Sequence, residues 1–323
     1  MKKRSLAHNN ATTSPVKKNK ILKEIRNNYQ LFLLILPPLA YIIIFKYIPM
    51  YGVQLAFKDF VATKGIFGSP WVGLKHFDRF VNSYFFPRVM KNTIGVSLYG
   101  LIAGFPFPIL LALALNSTRN KLYRKTVQMS TYLPHFISTV TMVGMVMQFL
   151  NPRFGMLAEV AKFFGKEPLN YIGIPKYFKS IYVWSNIWQD TGWGTIIYLA
   201  ALSAIDPSLQ EAAIVDGAGR FKRIIHIDIP GILPTIVIML ILRSGRIMNV
   251  GFENIFLLQN QLNLPASEVI STYVYKVGLG GDKGMIPNFP FATAVDLFNS
   301  VINISLLLSM NWISKRLTDS SLW

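Results

Sequence analysis

Trp184, Asn186, Trp188, Gln189, Asp190 and Trp193 crowd into about three turns of an otherwise apolar stretch. Asn186, Gln189, Asp190 and Trp193 stand at i, i+3, i+4 and i+7, the spacing of one helical face. Indole plates beside amides and a carboxylate suit a sugar, whose C–H faces stack while its hydroxyls hydrogen-bond. Tryptophans also gather at membrane headgroups, so an aromatic belt is the competing reading. Polar side chains on the shared face favour a cavity.

A second cluster follows at Arg243, Arg246, Asn249, Glu253 and Asn254, interrupted by Gly245 and Gly251. Guanidiniums offer forked donors matched to carboxylates. They pair with internal acids such as Asp190, Glu253 or Asp296, or they bind an anionic substrate. Internal pairing is slightly favoured, because an unpaired buried arginine is destabilising. The two glycines would let the chain bend or unwind at a binding site. Asp296, Asn299 and Asn303 repeat at i, i+3 and i+7, a face that must point into a helix bundle or a wet cavity.

Reaction chemistry has no comparable grouping. His8, His76, His135 and His226 fall in separate segments and form no metal set. Ser138 and Ser203 lack a partnered histidine and acid, and no phosphate-cradling G-x-x-x-x-G-K-[ST] run is present. With no cysteine, disulfides and thiolate metal sites are excluded. A non-catalytic chain that binds no cofactor or metal of its own is expected.

The elements that must position these residues are membrane helices. Of 323 residues, 52% are hydrophobic and 15% charged, and the mean hydropathy is +0.37. A spanning helix needs about 20 mostly apolar residues, and 31–48, 93–115, 126–150, 181–204, 232–258 and 291–313 qualify. The expected fold class is therefore all-α and polytopic, with six transmembrane helices. The first is read as a retained helix, since it is long, contains Pro37 and Pro38, and lacks a small-residue cleavage site.

Basic residues orient the bundle. Lys2, Lys3, Arg4, Lys17, Lys18, Lys20, Lys23 and Arg26 precede the first span, and Arg119, Lys121, Arg124 and Lys125 lie between the second and third. Short basic loops stay inside, which puts both termini in the cytoplasm. The net charge of +18 then reflects juxtamembrane contact with anionic lipid rather than nucleic-acid binding. The expected organisation is a basic tail with a possible surface helix (1–30), a first span plus extracytoplasmic segment (31–92), a transmembrane core (93–313) and a short end (314–323). The aromatic-rich 49–92 stretch reads as a partly ordered cap or a partner contact.

Within the core, a loop over 205–230 carries Glu211-Ala-Ala-Ile-Val-Asp216-Gly217-Ala218-Gly219 and runs on to Ile227-Asp-Ile-Pro230. Glu211, Ala212 and Ala213 start a helix-compatible run with an acid in its first turn. Asp216-Gly217 turns the chain and Pro230 closes the segment. Small residues let another protein's surface approach closely, although an ordinary amphipathic loop fits the same spacing.

Glu211-Ala-Ala-x-x-Asp216-Gly217-Ala218 with Ile227-x-Ile229-Pro230 resembles the EAA signature of permease subunits of ABC importers, with Ile229 in place of the usual leucine. Phe45-Lys-Tyr-Ile-Pro-Met-Tyr-Gly52, Leu133-Pro-His-Phe-Ile-Ser138, Gly192-Trp193, Asn249-Val-Gly-Phe-Glu253 and Ser271-Thr-Tyr-Val-Tyr275 resemble its carbohydrate (maltose and glycerol-phosphate) branch. Within that branch the chain is most similar to the complex-oligosaccharide permeases of the alginate, lipoprotein-associated and pectin-fragment group. The resemblance implies a type I importer permease fold in the bacterial cytoplasmic membrane. It also implies a homologous second permease, two ABC ATPase subunits carrying ATP and Mg²⁺, and an extracytoplasmic solute-binding lipoprotein. Glu211, Ala212, Ala213, Asp216, Gly217, Ala218 and Gly219 would form the coupling helix. Sugar contacts carry over near Asn186, Asp190, Trp193 and Asn254, and with the bottom-up set the candidates are Asn186, Trp188, Gln189, Asp190, Trp193, Arg246, Asn249, Glu253 and Asn254. Asp296 stands where the family pattern has glycine. The arginines lean towards uronate-containing oligosaccharides. A permease for another solute such as glycerol phosphate, and a scaffold or sensor without transport, are the alternatives.

Overall fold

The computed structural model describes residues 27–280 and 286–318. The basic tail (1–30), with its possible surface helix, lies almost wholly outside them. Apart from one antiparallel bridge between Lys58 and Trp71, every regular element among the described residues is helical.

Two units divide between Gln54 and Leu55. The first holds helix α1 as far as Gln54; the helix opens as Tyr29–Ile42, passes through a π-helical stretch Ile43–Tyr47 and tightens at Tyr51–Phe57. Its residues from 29 to 50 bury no side chain, which leaves an apolar surface that hydrocarbon solvates and water does not.

The second unit begins with the cap. Lys58 is buried, lies over the Trp71 ring and donates from Nζ to the Ile66 carbonyl at 2.8 Å. His76 meets the Lys58 carbonyl at 3.1 Å. Lys75 donates to Asp59 at 2.6 Å, and that bond, with the nearby His76, holds the Asp59 carboxyl below the usual carboxylate range. Helix α2 (Lys75–Val81) then leads into α3 (Phe85–Gly104) and α4 (Pro106–Asn116).

The third expected span is not one helix. Helix α5 (Lys121–Tyr132) gives way to a 3-10 turn at Leu133–Phe136, and α6 (Thr139–Phe149) restarts behind a Ser138 cap. Pro134 supplies the reason, since its ring removes a backbone donor and obstructs the preceding turn. After α7 (Met156–Phe163), α8 (Pro175–Ser203) runs unbroken for 29 residues, about 44 Å at helical rise. It starts earlier than the hydropathy reading placed it, because Pro175 at its first turn is preset for helix.

Helix α9 (Pro207–Val215) lies between α8 and α10 (Ile229–Ser244), which is led in by Arg220–Arg223 and a π-helical turn Ile224–Asp228. The fifth expected span, 232–258, also divides: α10 ends at Ser244 and α11 covers Phe252–Leu258. Helices α12 (Ile270–Leu279) and α13 (Phe289–Thr318) complete the chain. Among the described residues, four stretches are long and apolar enough to cross a bilayer: Tyr29–Phe57, Phe85–Asn116, Arg220–Ser244 and Phe289–Arg316. Helix α8 has the length, but its polar residues lower its hydropathy.

Three buried clusters hold the second unit. Val96, Met142, Phe178, Val183, Ile255 and Leu258 join α3, α6, α8 and α11. Phe80, Val89, Tyr273, Phe291 and Val295 join α2, α3, α12 and α13. Ala112, Tyr198, Leu202 and Ile232 join α4, α8 and α10. Gly192 sets the α5–α8 crossing, for a Cβ there would overlap the Thr131 carbonyl. Backbone cannot yield as a flexible side chain does, so Gly192→Val should destabilise by about 3 kcal/mol or more. Gly144→Ala, inside α6 with nothing within 4 Å, should leave stability unchanged or raise it by up to about 1 kcal/mol. Thermal unfolding of the two variants in detergent compares them directly.

Candidate functional site

A helix broken at membrane depth exposes backbone groups that hydrocarbon cannot satisfy. Helix α8 serves both breaks. At the α5–α6 break, Gln189 Nε2 donates to the Ile137 carbonyl at 2.8 Å, and Asp190 pairs with His135 at 3.0 Å. Trp193 stacks on the same imidazole, with ring centroids 4.7 Å apart and planes 7° from parallel.

At the α10–α11 break the chain turns through 3-10-type bonds, Arg246 N–H to Arg243 carbonyl (3.2 Å) and Asn249 N–H to Arg246 carbonyl (2.9 Å). The Gly251 N–H donates to the Tyr182 hydroxyl of α8 at 3.1 Å, and the Met248 N–H donates to Asn303 Oδ1 of α13 at 3.0 Å. Asn249 Oδ1 accepts from Asn299 (3.2 Å) and Asn303 (3.1 Å). Asn254 donates to Asn186 Oδ1 at 2.6 Å. Gly245 and Gly251 mark this unwinding as their positions in the sequence suggest. A side chain at Gly245 would run into Leu307 of α13.

Between α3, α4, α8 and the α10–α11 break lies a cavity of about 650 Å³, within the range of small-molecule sites. Asn186, Asp190, Arg246, Asn249 and Asn254 line it, together with Arg243, Tyr182 and Tyr198. Trp188 does not; it lines an apolar groove with Met142, Phe149 and Ile181. Gln189 is turned to Ile137, Trp193 to His135, and Glu253 is exposed outside the lining. Asn299 and Asn303 are buried against Asn249, whereas Asp296 is exposed.

The arginines depart from the favoured expectation of internal pairing. Among the described residues neither Arg243 nor Arg246 reaches a carboxylate within ion-pair distance; Asp190 is with His135 instead. Arg243 has a long contact, 3.5 Å, to the Gly100 carbonyl. A Cβ on Gly104 would crowd its guanidinium, so that glycine keeps the space open. Two cations thus face an open cavity with most of their donor capacity unspent.

The loop over 205–230 forms a second site. Helix α9 starts at Pro207, so Glu211 stands within the helix and not in its first turn. The cap is Asp206, whose Oδ1 accepts from the Ser208 N–H at 2.9 Å; bonds from Ser208 hold this carboxyl below its ordinary range. Gly217 takes a left-handed φ of 76°, while the Ala218 N–H reaches the Ala213 carbonyl (2.8 Å) and the Gly217 N–H the Ile214 carbonyl (3.0 Å). That pair of bonds is the Schellman stop, which favours glycine at this position. Glu211, Ala212, Asp216 and Gly219 are exposed, as are Leu209, Ile214, Val215 and Phe221; Ala213 and Ala218 are half-buried. Gln210 donates to buried Asp228 at 2.8 Å and accepts from Arg223 at 3.2 Å, tying α9 to the root of α10.

Residues 104–319 match the family described as binding-protein-dependent transport system inner membrane component. The chain belongs to this family. The permease is 40% identical, over 307 residues, to the polygalacturonan/rhamnogalacturonan transport system permease protein YteP of Bacillus subtilis (strain 168), covering 95% of this chain and 94% of the relative. It is 39% identical over 300 residues to the protein LplB of the same organism, covering 93% and 92%. Its fold is similar to a chain of a bacterial ABC transporter involved in the import of the acidic polysaccharide alginate, with a TM-score of 0.83 and 40% identity, over 93% of this chain and 99% of the other. The permease is thus a multi-pass membrane component of a transport system, with an ABC importer permease fold.

Sequence reasoning missed Tyr182, Gln210, Arg223 and Asp228. Tyr182 was within reach, being one turn before Asn186 on the same face. Gln210 precedes the recognised motif by one residue and carries no pattern of its own. Tyr182→Phe should leave the Gly251 N–H unsatisfied and destabilise the permease by about 1–3 kcal/mol. Hydrogen exchange over 245–251 should accelerate while α8 stays protected.

Proposed function

We propose that the chain is the translocating permease subunit of an ATP-driven importer for acidic, uronate-bearing oligosaccharides. It moves them across the cytoplasmic membrane by alternating access. The observation that carries this reading is the pair of arginines in the cavity at the broken helix, which among the described residues reach no carboxylate within ion-pair distance. Forked guanidiniums facing a cavity favour carboxylates over neutral sugars, and Asn186, Asp190, Asn249 and Asn254 offer hydroxyl partners around them. Trp188 and Trp193, set apart from the cavity, act through packing in this account. The relatives' roles in polygalacturonan/rhamnogalacturonan and alginate transport agree with an acidic substrate.

The chain has six spans, counting the broken third and the polar fourth, with both termini in the cytoplasm. Helix α9 then faces the cytoplasm as the coupling helix. Its exposed Glu211, Ala212, Asp216, Gly217 and Gly219, with the apolar Ile214 and Val215, enter a cleft of an ABC ATPase that carries ATP and Mg²⁺. A homologous second permease completes the channel, and an extracytoplasmic binding protein delivers the sugar. The Gln210–Asp228 and Gln210–Arg223 bonds pass motion of α9 directly to α10, whose far end bears Arg243, with Arg246 two residues past the helix end.

The decisive experiment is ATPase stimulation in the reconstituted complex, using the cognate binding protein and a panel of acidic oligosaccharides, their neutral counterparts and glycerol 3-phosphate. Acidic oligosaccharides should stimulate, and a response confined to neutral sugars or to the phosphate would refute the assignment. Arg246→Gln should raise the KM for the acidic sugar by about tenfold to a hundredfold, the loss of one charge-assisted contact. Gln210→Ala should uncouple: the ATPase still co-purifies, but the loaded binding protein no longer stimulates it. Unchanged stimulation would remove Gln210 from the coupling path.

A further inference from the structure

Further along α3 and α8, away from α9, lies a second pocket of about 570 Å³. Lys91, Lys176 and Lys179 line it, with Arg88 beside them and Pro87, Pro175 and Pro265 forming much of the rest. No acid is in its lining. Glu268, on the adjoining loop, is buried and engaged by Arg88, with Lys276 at 3.8 Å. Among the described residues, Lys91, Lys176 and Lys179 reach no carboxylate within ion-pair distance. Lys91 and Lys179 are near enough to repel each other electrostatically, and the Lys179 ammonium lies across the face of α3 that Gly95 leaves bare. Scattered surface lysines are ordinary, but three converging on one concavity with no counter-ion leave an anion to be supplied from outside.

The pocket leads towards the cavity. On α8, Lys179 precedes the cavity residue Asn186 by seven positions, about 10 Å of helix. On α3, Lys91 precedes Val96 and Ser97, which line the cavity. In the proposed topology this is its extracytoplasmic side. The chemistry of the two sites differs usefully. Ammoniums on flexible stems are strongly hydrated and impose little geometry, whereas guanidinium forks fix a carboxylate in place. Loose capture outside and tighter holding inside suit an anion that must move on.

We infer that Lys91, Lys176 and Lys179 form an entry subsite that takes a carboxylate of the sugar before it reaches Arg243 and Arg246. This rests on the importer reading above. The pocket's own contribution is tested with the whole complex in proteoliposomes, fed by its binding protein with a uronate oligosaccharide or its fully methyl-esterified form. The triple variant Lys91→Gln, Lys176→Gln, Lys179→Gln should raise the KM for the acid about tenfold or more, leave the ester unchanged, and regain wild-type behaviour when all three positions carry arginine. The single variant Lys176→Gln, at an exposed position, should shift the KM in the same direction and serves if the triple fails to assemble. Unchanged transport of the acid would overturn the subsite. So would equal losses for both sugars with weaker docking of the sugar-free binding protein, which would assign the lysines to that partner's acidic surface. A wild-type complex moving neither sugar would instead overturn the importer reading, and the subsite with it.

Discussion

Hydrocarbon offers no hydrogen bonds, so every backbone group freed by a broken helix must find its partner inside the protein. Helix α8 answers that requirement twice. Gln189 reaches the Ile137 carbonyl on one side, and the Tyr182 hydroxyl receives the Gly251 N–H on the other. Asn303 of α13 completes the second break by accepting from Met248. These bonds decide where the unwound chain can run, and hence that Arg243, Arg246, Asn249 and Asn254 face one space. Much of the polarity of α8 that looks like binding chemistry in the sequence is therefore the means by which the cavity is held open.

In the importer account the same arrangement connects the cavity to its source of work. Helix α9 is stopped by a Schellman turn at Gly217 and fastened to α10 through Gln210, Asp228 and Arg223. Ile205 also meets Gly231 so closely that a side chain there would collide with it. Motion imposed on α9 reaches the root of α10 through these contacts, and α10 ends at the arginines. In the importer account the power stroke and the cargo site share one helix.

Hydropathy alone made the all-α, membrane-spanning character legible, and the Glu211–Gly219 motif marked α9. The glycines at 245 and 251 announced the break in α10–α11. The break at Pro134 was hidden, because the apolar run continues through it from 126 to 150. The start of α9 was displaced because Asp206-Pro207, a cap and a first-turn proline, lies outside the motif that drew attention. Helical spacing put Asn186, Gln189, Asp190 and Trp193 on one face, which is correct as geometry. It could not say that α8 packs between two broken partners, so that this face divides its residues between a cavity and a structural contact. Nor could it place the acids: Asp190 goes to His135, and the arginines stay unpaired.

In the importer account, Arg243 and Arg246 reach no carboxylate among the described residues because the cargo supplies their counter-charge. That source of counter-charge is tested most directly by a structure of the assembled complex stalled with an acidic oligosaccharide in transit. A sugar carboxylate is expected against the Arg243 and Arg246 guanidiniums, with neighbouring hydroxyls on Asn186 and Asn254. An oligosaccharide bound elsewhere, with both arginines engaged by acids of the second permease, would overturn the account.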